Sequence, residues 1–350
     1  MTDKAELISF DLTELENFIN NELGEASFRA EQIFNWIYKQ GAVNFEEMTN
    51  LSQGLRSRLQ SKAYIQQLTE ITRAKSEDGT VKFLFELEDN KEIETVFLPY
   101  QDGRNSICVS TQVGCGMGCN FCATGQQGLE RNLTTGEIVS QILKVQQLMG
   151  SNGYDPSLIS NVVFMGMGEP LANYDNFLRV IDILNSEKAL NISMRRITVS
   201  TCGLVPQIKR LADKELQLVL AISLHAAEDK LRSEMMPINK RYPLEELIAA
   251  CEYYLQKTNR RITFEYALVD GVNNRRQDAE KLAQLLSGLL CHVNLIPVNP
   301  VKELGLTRPN RKAIKEFKEI LDRHNIQATV RQERGNDIEA ACGQLRTENS

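Results

Sequence analysis

Apolar residues in the first sixty positions recur with a helical period. In "FRAEQIFNWIYK", Ile33, Trp36 and Ile37 stand at i, i+3 and i+4 and so share one helix face. The period then shortens. "TVKFLFELED" and "KEIETVFLPY" read as strands, and the turn residues of "QDGRN" (101–105) mark a boundary. This pattern predicts a helical N-terminal accessory domain over 1–60, a β-containing extension over 61–100, and a larger unit over 101–345.

Past the boundary, short apolar runs alternate with amphipathic helical stretches. "SICVST" leads into a cysteine-rich loop and then the helix "TTGEIVSQILKVQQLM", with Thr134 or Thr135 as N-cap. "ISNVVFMGMGEP", "RRITVST", "LQLVLAISLHA", "RITFEYALVDG", "HVNLIPVNP" and "QATVRQERG" supply further strands. Between them lie "YDNFLRVIDILN", "VPQIKRLAD", "PLEELIAACEYYLQKT", "RQDAEKLAQLLSGL" and "RKAIKEFKEILDRH". Strand–helix alternation implies an α/β fold with a parallel sheet, and uninterrupted apolar strands imply burial on both faces. About six such units fall short of the eight that close a full barrel, so the expected architecture is a partial, open (β/α)6 barrel. Ligands in that architecture bind where strands end. Polar or glycine-rich groups stand at those exits: the cysteine loop, "GMGEP" (166–170), "STCG" (200–203), "SLHA" (223–226) and Asn299.

Composition adds limits. Hydrophobic residues make up 42% and charged residues 25% of 350 positions, ordinary for a soluble globular protein. No apolar run approaches the roughly 18 residues of a membrane span. "MTDKAELISFDLTELENF" has no basic segment before an apolar core, so no signal peptide is read and the expected location is cytoplasmic, the expected state a monomer. In a reducing compartment eight cysteines point to metal or redox chemistry rather than structural disulfides. A net charge of −6 argues weakly against a polyanion partner, and the pairs Arg195–Arg196, Lys209–Arg210, Arg260–Arg261 and Arg275–Arg276 read by themselves as solvated surface.

The candidate chemistry sits in "CGMGCNFCATG", where Cys115, Cys119 and Cys122 form C-x3-C-x2-C. Structural zinc sites take four ligands, commonly as two separated pairs, and no second C-x2-C follows. A cubane iron–sulfur cluster takes one cysteine per iron, so three leave one iron open to an external ligand. A zinc loop or a group of buried thiols is the bland alternative. Phe121 would screen a cluster from water, Gly116 and Gly118 would let the loop wrap, and Gly166 and Gly168 would let backbone approach a ligand, with Glu169 accepting from its ammonium group.

"CVSTQVGCGMGCNFCATGQQGLERNLT", "FMGMGEPLAN", "AISLHA", "MPINKRYPLEEL", "VNLIPVNP" and "DIEAACGQL" together resemble the radical S-adenosylmethionine (SAM) adenosine methyltransferases of RNA, over nearly the whole chain. The resemblance implies one 4Fe-4S cluster on Cys115, Cys119 and Cys122, and SAM bound by Gly168, Glu169, Ser200, Ser223, His225 and Asn299. It implies a methyl carried on Cys342, a partner cysteine at Cys108, and Glu94 as proton acceptor, with Cys108 competing for that last role. Two SAM molecules would be used per turnover, one to methylate Cys342 and one to generate the radical that activates the methyl. The implied substrates are 23S rRNA and certain tRNAs, methylated at adenine C2, with a flavodoxin or ferredoxin as electron donor. Adenine C2 is electron-poor and lacks an acidic proton, which is why polar methyl transfer cannot reach it. A C8-directed resistance type shares the cluster and both extra cysteines. An iron–sulfur electron carrier or a zinc-stabilised RNA-binding module would need neither Cys108 nor Cys342.

Overall fold

Residues 4–151, 153–298, 305–332 and 334–345 are described by a computed structural model. The N-terminal part opens with a short strand, β1 (Ala5–Glu6), followed by α1 (Leu12–Leu23), α2 (Phe28–Tyr38) and α3 (Gln53–Lys62), and β2 (Ala63–Tyr64) pairs in parallel with β1. Asp11 caps α1 in a reciprocal box with Glu14. Ile33 and Ile37 are buried on α2, as their spacing predicts, while Trp36 is half-buried and donates its indole N–H to Asn50 Oδ1 at 2.6 Å.

β3 (Thr69–Lys75), β4 (Val81–Glu86) and β5 (Glu92–Pro99) form an antiparallel meander. They do not stand apart. β5 pairs antiparallel with β6 (Asn105–Cys108), so the segment predicted as an extension prolongs the main sheet. β7 (Gln112–Cys115) and β8 (Gly128–Asn132) form a separate hairpin around the cysteine loop and the short helix α4 (Ala123–Gln127).

The strand–helix units then follow in order: α5 (Thr135–Met149), β9 (Asn161–Phe164), α6 (Tyr174–Asn185), β10 (Ile197–Thr201), α7 (Val205–Asp213), β11 (Val219–Ser223), α8 (Asp229–Met235), α9 (Leu244–Thr258), β12 (Ile262–Leu268), α10 (Arg276–Leu285), β13 (Cys291–Pro297), α11 (Arg311–Arg323) and β14 (Ala328–Val330). Thr134, not Thr135, caps α5, in a box with Glu137. Strand order is β14-β13-β12-β11-β10-β9-β6-β5-β4-β3, with β6 and β9 to β14 all parallel. Among the described residues the ends, β14 and β3, do not pair, as an open barrel requires. Val96 on β5 and Ile296 on β13 nonetheless face one cavity, so the sheet curls toward closure. Apolar side chains of the N-terminal helices and of the barrel belong to one continuous buried core. Tyr154 donates its hydroxyl to Tyr38 O at 2.8 Å across that junction.

Arg232 is the most unusual core member, fully buried on α8. Its guanidinium donates to Leu224 O (3.1 Å), Asn239 Oδ1 (2.8 Å), Cys202 O (2.7 Å) and Ser223 O (3.2 Å). It therefore ties the exits of β10 and β11 together from beneath. Arg232→Ala removes the donors from three buried carbonyls and leaves a cavity. We expect it to lower unfolding free energy by on the order of 3 kcal/mol, read as a shifted urea midpoint. A change within 0.5 kcal/mol would show the exits need no such tie.

Candidate active site

Two adjoining cavities lie at the C-terminal ends of the strands, where the barrel geometry predicts ligands. The first, about 170 Å³, contains all three clustered cysteines in its wall. Cys115 ends β7, Cys119 lies in the loop, and Cys122 precedes α4. Burial pushes the Cys115 thiol up to about 12 and raises Cys119 and Cys122 as well, and their mutual proximity adds to this at Cys115 and Cys119. Thiols so placed become ligands only with a cation to hold their negative charge. Among the described residues, no three His, Cys, Asp or Glu side chains converge as one mononuclear ion requires. A cubane places each thiolate on a separate iron, and three thiols around one cavity, two buried and Cys122 partly so, fit that donor set.

The expected SAM-contacting residues gather in the same wall: Gly168, Glu169, Ser200, Ser223 and His225. Asn299 lies outside the described residues. Ser200 and Ser223 on adjacent strands stand 3.4 Å apart through their hydroxyls. Glu169 is fully engaged by its own backbone surroundings: Oε1 accepts from Leu171 N (3.0 Å) and Oε2 from Cys202 N (2.7 Å). The side chains of Cys202 and Thr201 add to these bonds, so the carboxylate is held firmly in the cavity wall. The glycines have a more immediate role than ligand approach. At Gly168 φ is +99°, and a Cβ would lie 2.8 Å from Gln112 N; at Gly166 it would lie 2.7 Å from Val109 O. The β9 exit passes directly over segment 109–112, and only glycine permits it.

His225 adopts a left-handed φ of 57°, and its Nδ1 accepts from Ala267 N at 2.9 Å. Burial lowers its pKa to about 3, with Arg232 acting in the same sense, so the ring is neutral. Phe121 packs edge-on against it at 4.5 Å between ring centroids.

The second cavity, about 280 Å³, shares Met165, Ile296, Arg331 and Cys342 with the first. Cys108 lines only this second cavity, between Val96 and Val163, its partners on the neighbouring strands. Burial pushes the Cys108 thiol up to about 12, Cys342 adds to the rise, and Arg331 opposes it. Both cysteines are free thiols. Cys342 is exposed, and its segment is fastened to the cysteine loop by Ala123 N donating to Gly343 O at 2.8 Å and by Thr124 Oγ1 donating to Leu345 O. Glu94 is absent from both walls. It is buried on β5 and ion-paired with Lys82 at 2.8 Å.

Three residues escape motif reading. Cys202 joins the three clustered cysteines and Cys342 in the first cavity, its thiol turned to Glu169. Glu265, also in that wall, accepts from Asn294 Nδ2 at 3.0 Å through Oε1, while buried Oε2 has no partner among the described residues. Arg331 follows β14 and lines both cavities; Cys342 is foremost among the groups that hold its guanidinium charged, and Glu265 and Cys108 act likewise against burial. Its place at a strand exit is the one sequence signal that marks it.

A strand–helix barrel presenting three thiols of a C-x3-C-x2-C loop beside a glycine-rich strand exit defines the radical SAM class. Residues 109–286 match the Radical SAM superfamily, and residues 5–65 match the ribosomal RNA large subunit methyltransferase N-terminal domain. A probable dual-specificity RNA methyltransferase RlmN of Clostridium novyi is 52% identical over 97% of both chains. Its counterpart in Alkaliphilus oremlandii is 51% identical over 98% of both. The crystal structure of a radical SAM methyltransferase from Sphaerobacter thermophilus superposes with a TM-score of 0.93 at 49% identity, covering 98% of this chain and 99% of that one. The chain belongs to the RlmN family of radical SAM RNA methyltransferases. No helix among the described residues is long and apolar enough to cross a membrane.

The neutral His225 has a consequence for stability. Its folded pKa of about 3 lies below the unfolded value, so the unfolded chain takes up a proton that the native ring refuses. Stability from this group is intact above about pH 6.5 and is lost as pH falls toward 3. His225→Asn keeps a side-chain acceptor and tolerates the left-handed backbone. In urea titrations from pH 7 to 4, wild type should lose stability faster than the variant by up to about 1.4 kcal/mol per pH unit. Parallel slopes would place His225 elsewhere in the pH response.

Proposed function

We propose that this enzyme methylates C2 of an adenosine in 23S rRNA at the peptidyl-transferase centre, and an adenosine in the anticodon loop of some tRNAs, through a methyl group carried on Cys342. The observation that carries the reading is that Cys342 belongs to both cavities. One thiol facing two chambers suits a group that is loaded on one side and delivered on the other. The relatives, probable RNA methyltransferases of dual specificity, support RNA substrates of two kinds.

In this reading Cys115, Cys119 and Cys122 hold the 4Fe-4S cluster, and Gly168, Glu169, Ser200, Ser223, His225 and Asn299 hold SAM. Bound together and reduced by a flavodoxin or ferredoxin, the cluster and SAM supply hydrogen-atom abstraction. The chain does the rest. Cys342, as thiolate, takes a methyl from SAM by displacement and becomes a thioether, which is then activated at its methyl carbon and bonds to adenine. Of the two proton-acceptor candidates, Cys108 lines the second cavity and Glu94 does not. One electron would return to the cluster and Cys108 would take the ring proton. As the Cys108 sulfur then attacks the Cys342 sulfur, the S–CH2 bond breaks and the released carbon takes that proton, leaving a Cys108–Cys342 disulfide and the methylated base. That attack needs a thiolate, and the guanidinium of Arg331 opposes the burial that keeps Cys108 protonated. An external reductant then restores both thiols.

Intact-protein mass spectrometry of enzyme incubated with SAM should find one added methyl, located on the peptide that contains Cys342. Cys342→Ala should keep the iron and yield no methylated RNA. A methyl on any other residue would refute the carrier assignment.

Cys108→Ala separates resolution from packing. A merely packed sulfur would leave an active enzyme less stable by about 1 kcal/mol. As the resolving thiol, its loss should trap RNA covalently on Cys342, seen as a shifted band that survives denaturation and disappears with RNase. NMR of the digested adduct reads the attachment carbon, and attachment at C8 would replace the C2 assignment. Multiple turnovers with no trapped RNA would remove Cys108 from the reaction.

A further inference from the structure

Sequence motifs mark Glu94, yet its carboxylate lines neither cavity. Its surroundings give it a different task. Val96 stands opposite Cys108 across β5 and β6, and Glu94, two residues earlier, shares that face of the strand. Ser110 Oγ donates to Glu94 O at 2.6 Å, and Glu94 N donates to Met167 Sδ at 3.4 Å, so the backbone here is fixed to the exits of β6 and β9. Register places Glu94 opposite Leu84, which makes Lys82 its diagonal neighbour on β4, within reach of a long side chain. Lys82 Nζ lies 2.8 Å from Glu94 Oε1, the two side chains being 18% and 5% exposed. The same ammonium donates to Glu339 O at 3.3 Å. Glu339 stands three residues before Cys342 and holds a left-handed φ of 51°, uncommon outside glycine.

An ammonium largely withdrawn from water needs a counter-charge, and the Glu94 carboxylate supplies it. Without that carboxylate Lys82 would turn to solvent or give up its proton. The first outcome breaks the bond to Glu339 O, and the second weakens it by removing its charge. We propose that Glu94 serves the reaction as a positioning residue: it holds the Lys82 ammonium against Glu339 O and thereby fixes the turn from which Cys342 is presented. The proposal rests on the reading of Cys342 as methyl carrier, and it takes the proton-acceptor role away from Glu94. The two roles belong to different steps. In loading, the Cys342 thiolate takes the methyl carbon from the SAM sulfonium, which leaves as the thioether S-adenosylhomocysteine. No adenine is involved and no ring proton moves. A proton acceptor is idle at this stage. A tether is already needed, because displacement requires the sulfur in line with the methyl carbon.

The test uses the full, unmethylated chain with its cluster reconstituted, incubated with SAM and no RNA, and follows the gain of one methyl by intact-protein mass. Glu94→Gln and Lys82→Met, at wild-type iron content, should each slow loading roughly tenfold or more. The double variant should be no slower than either, since both cut one link. Lys82→Arg keeps the charge and the donors and should restore the rate. Hydrogen exchange of segment 336–342 should quicken in the Gln and Met variants and not in the Arg variant. Loading at the wild-type rate in Glu94→Gln, with RNA methylation stalled, would return Glu94 to proton transfer and overturn the tether. Wild-type loading in Lys82→Met would overturn it too, and that variant decides the matter where Glu94→Gln fails to fold. A wild-type enzyme that takes no methyl on Cys342 would overturn the carrier reading instead, and the exchange of 336–342 then decides the tether by itself.

Discussion

Everything in the site depends on where the C-terminal segment is pinned. Cys342 would be a surface thiol on a loose end but for hydrogen bonds to two distant parts of the chain. At one end, Ser76 Oγ donates to Asp337 Oδ1 (2.6 Å), Gly335 N donates to Asp78 Oδ2 (3.1 Å), and Lys82 Nζ donates to Glu339 O (3.3 Å). At the other, the cysteine loop binds Gly343 and Leu345. The β3–β4 turn thus holds one side of the segment and the cluster loop the other, so the span between them lies across the gap between the cavities. That gives the antiparallel meander a purpose its sequence does not disclose. It extends the sheet and provides the anchor from which Cys342 is hung.

The electrostatics of the two cavities follow from this arrangement. Thiols in apolar surroundings resist ionisation, and burial raises Cys108, Cys115, Cys119 and Cys122 alike. In the proposed reading a bound cluster offsets that penalty at Cys115, Cys119 and Cys122. Cys108 has none, and Arg331 is the cation that opposes its burial. The same guanidinium opposes the burial that raises both Cys108 and Glu265. Arginine suits such a post better than lysine, because burial does not readily strip its proton.

Most of the architecture was legible from periodicity. Helices α6 and α7 occupy the very stretches that their apolar spacing marks, 174–185 and 205–213. Strands were read too long at their exits: "ISNVVFMGMGEP" contains only Asn161–Phe164 as strand. Met165 is apolar because it lines cavities, and Gly166 and Gly168 because the chain crosses itself there, neither of which periodicity can separate from strand propensity. The cysteine loop was legible from its spacing. Cys108 and Cys342 became legible only through long motifs, since isolated cysteines carry no pattern. Glu265 and Arg331 were not, because their meaning arises from strands distant in sequence curling around one space. Glu94 shows the reverse case: the motif marks it, while its ion pair with Lys82 emerges only in the fold.

The contrast in burial between the two kinds of thiol is itself informative. Cys115 and Cys119 are buried and Cys122 partly so, which suits the permanent group they are proposed to hold, because tight packing fixes their geometry. Cys342 is exposed although it sits among them. In the proposed carrier role Cys342 meets one partner, changes its own substituent and then meets another, and each stage needs different volume around the sulfur, which suits a thiol that is not closely packed. Open space on two sides therefore belongs to its chemistry, and orientation has to come from backbone tethers rather than from side-chain packing. Hydrogen bonds meet that requirement: those from Ala123 and Thr124 hold the chain just after Cys342, those at Gly335, Asp337 and Glu339 hold it before, and none uses the sulfur.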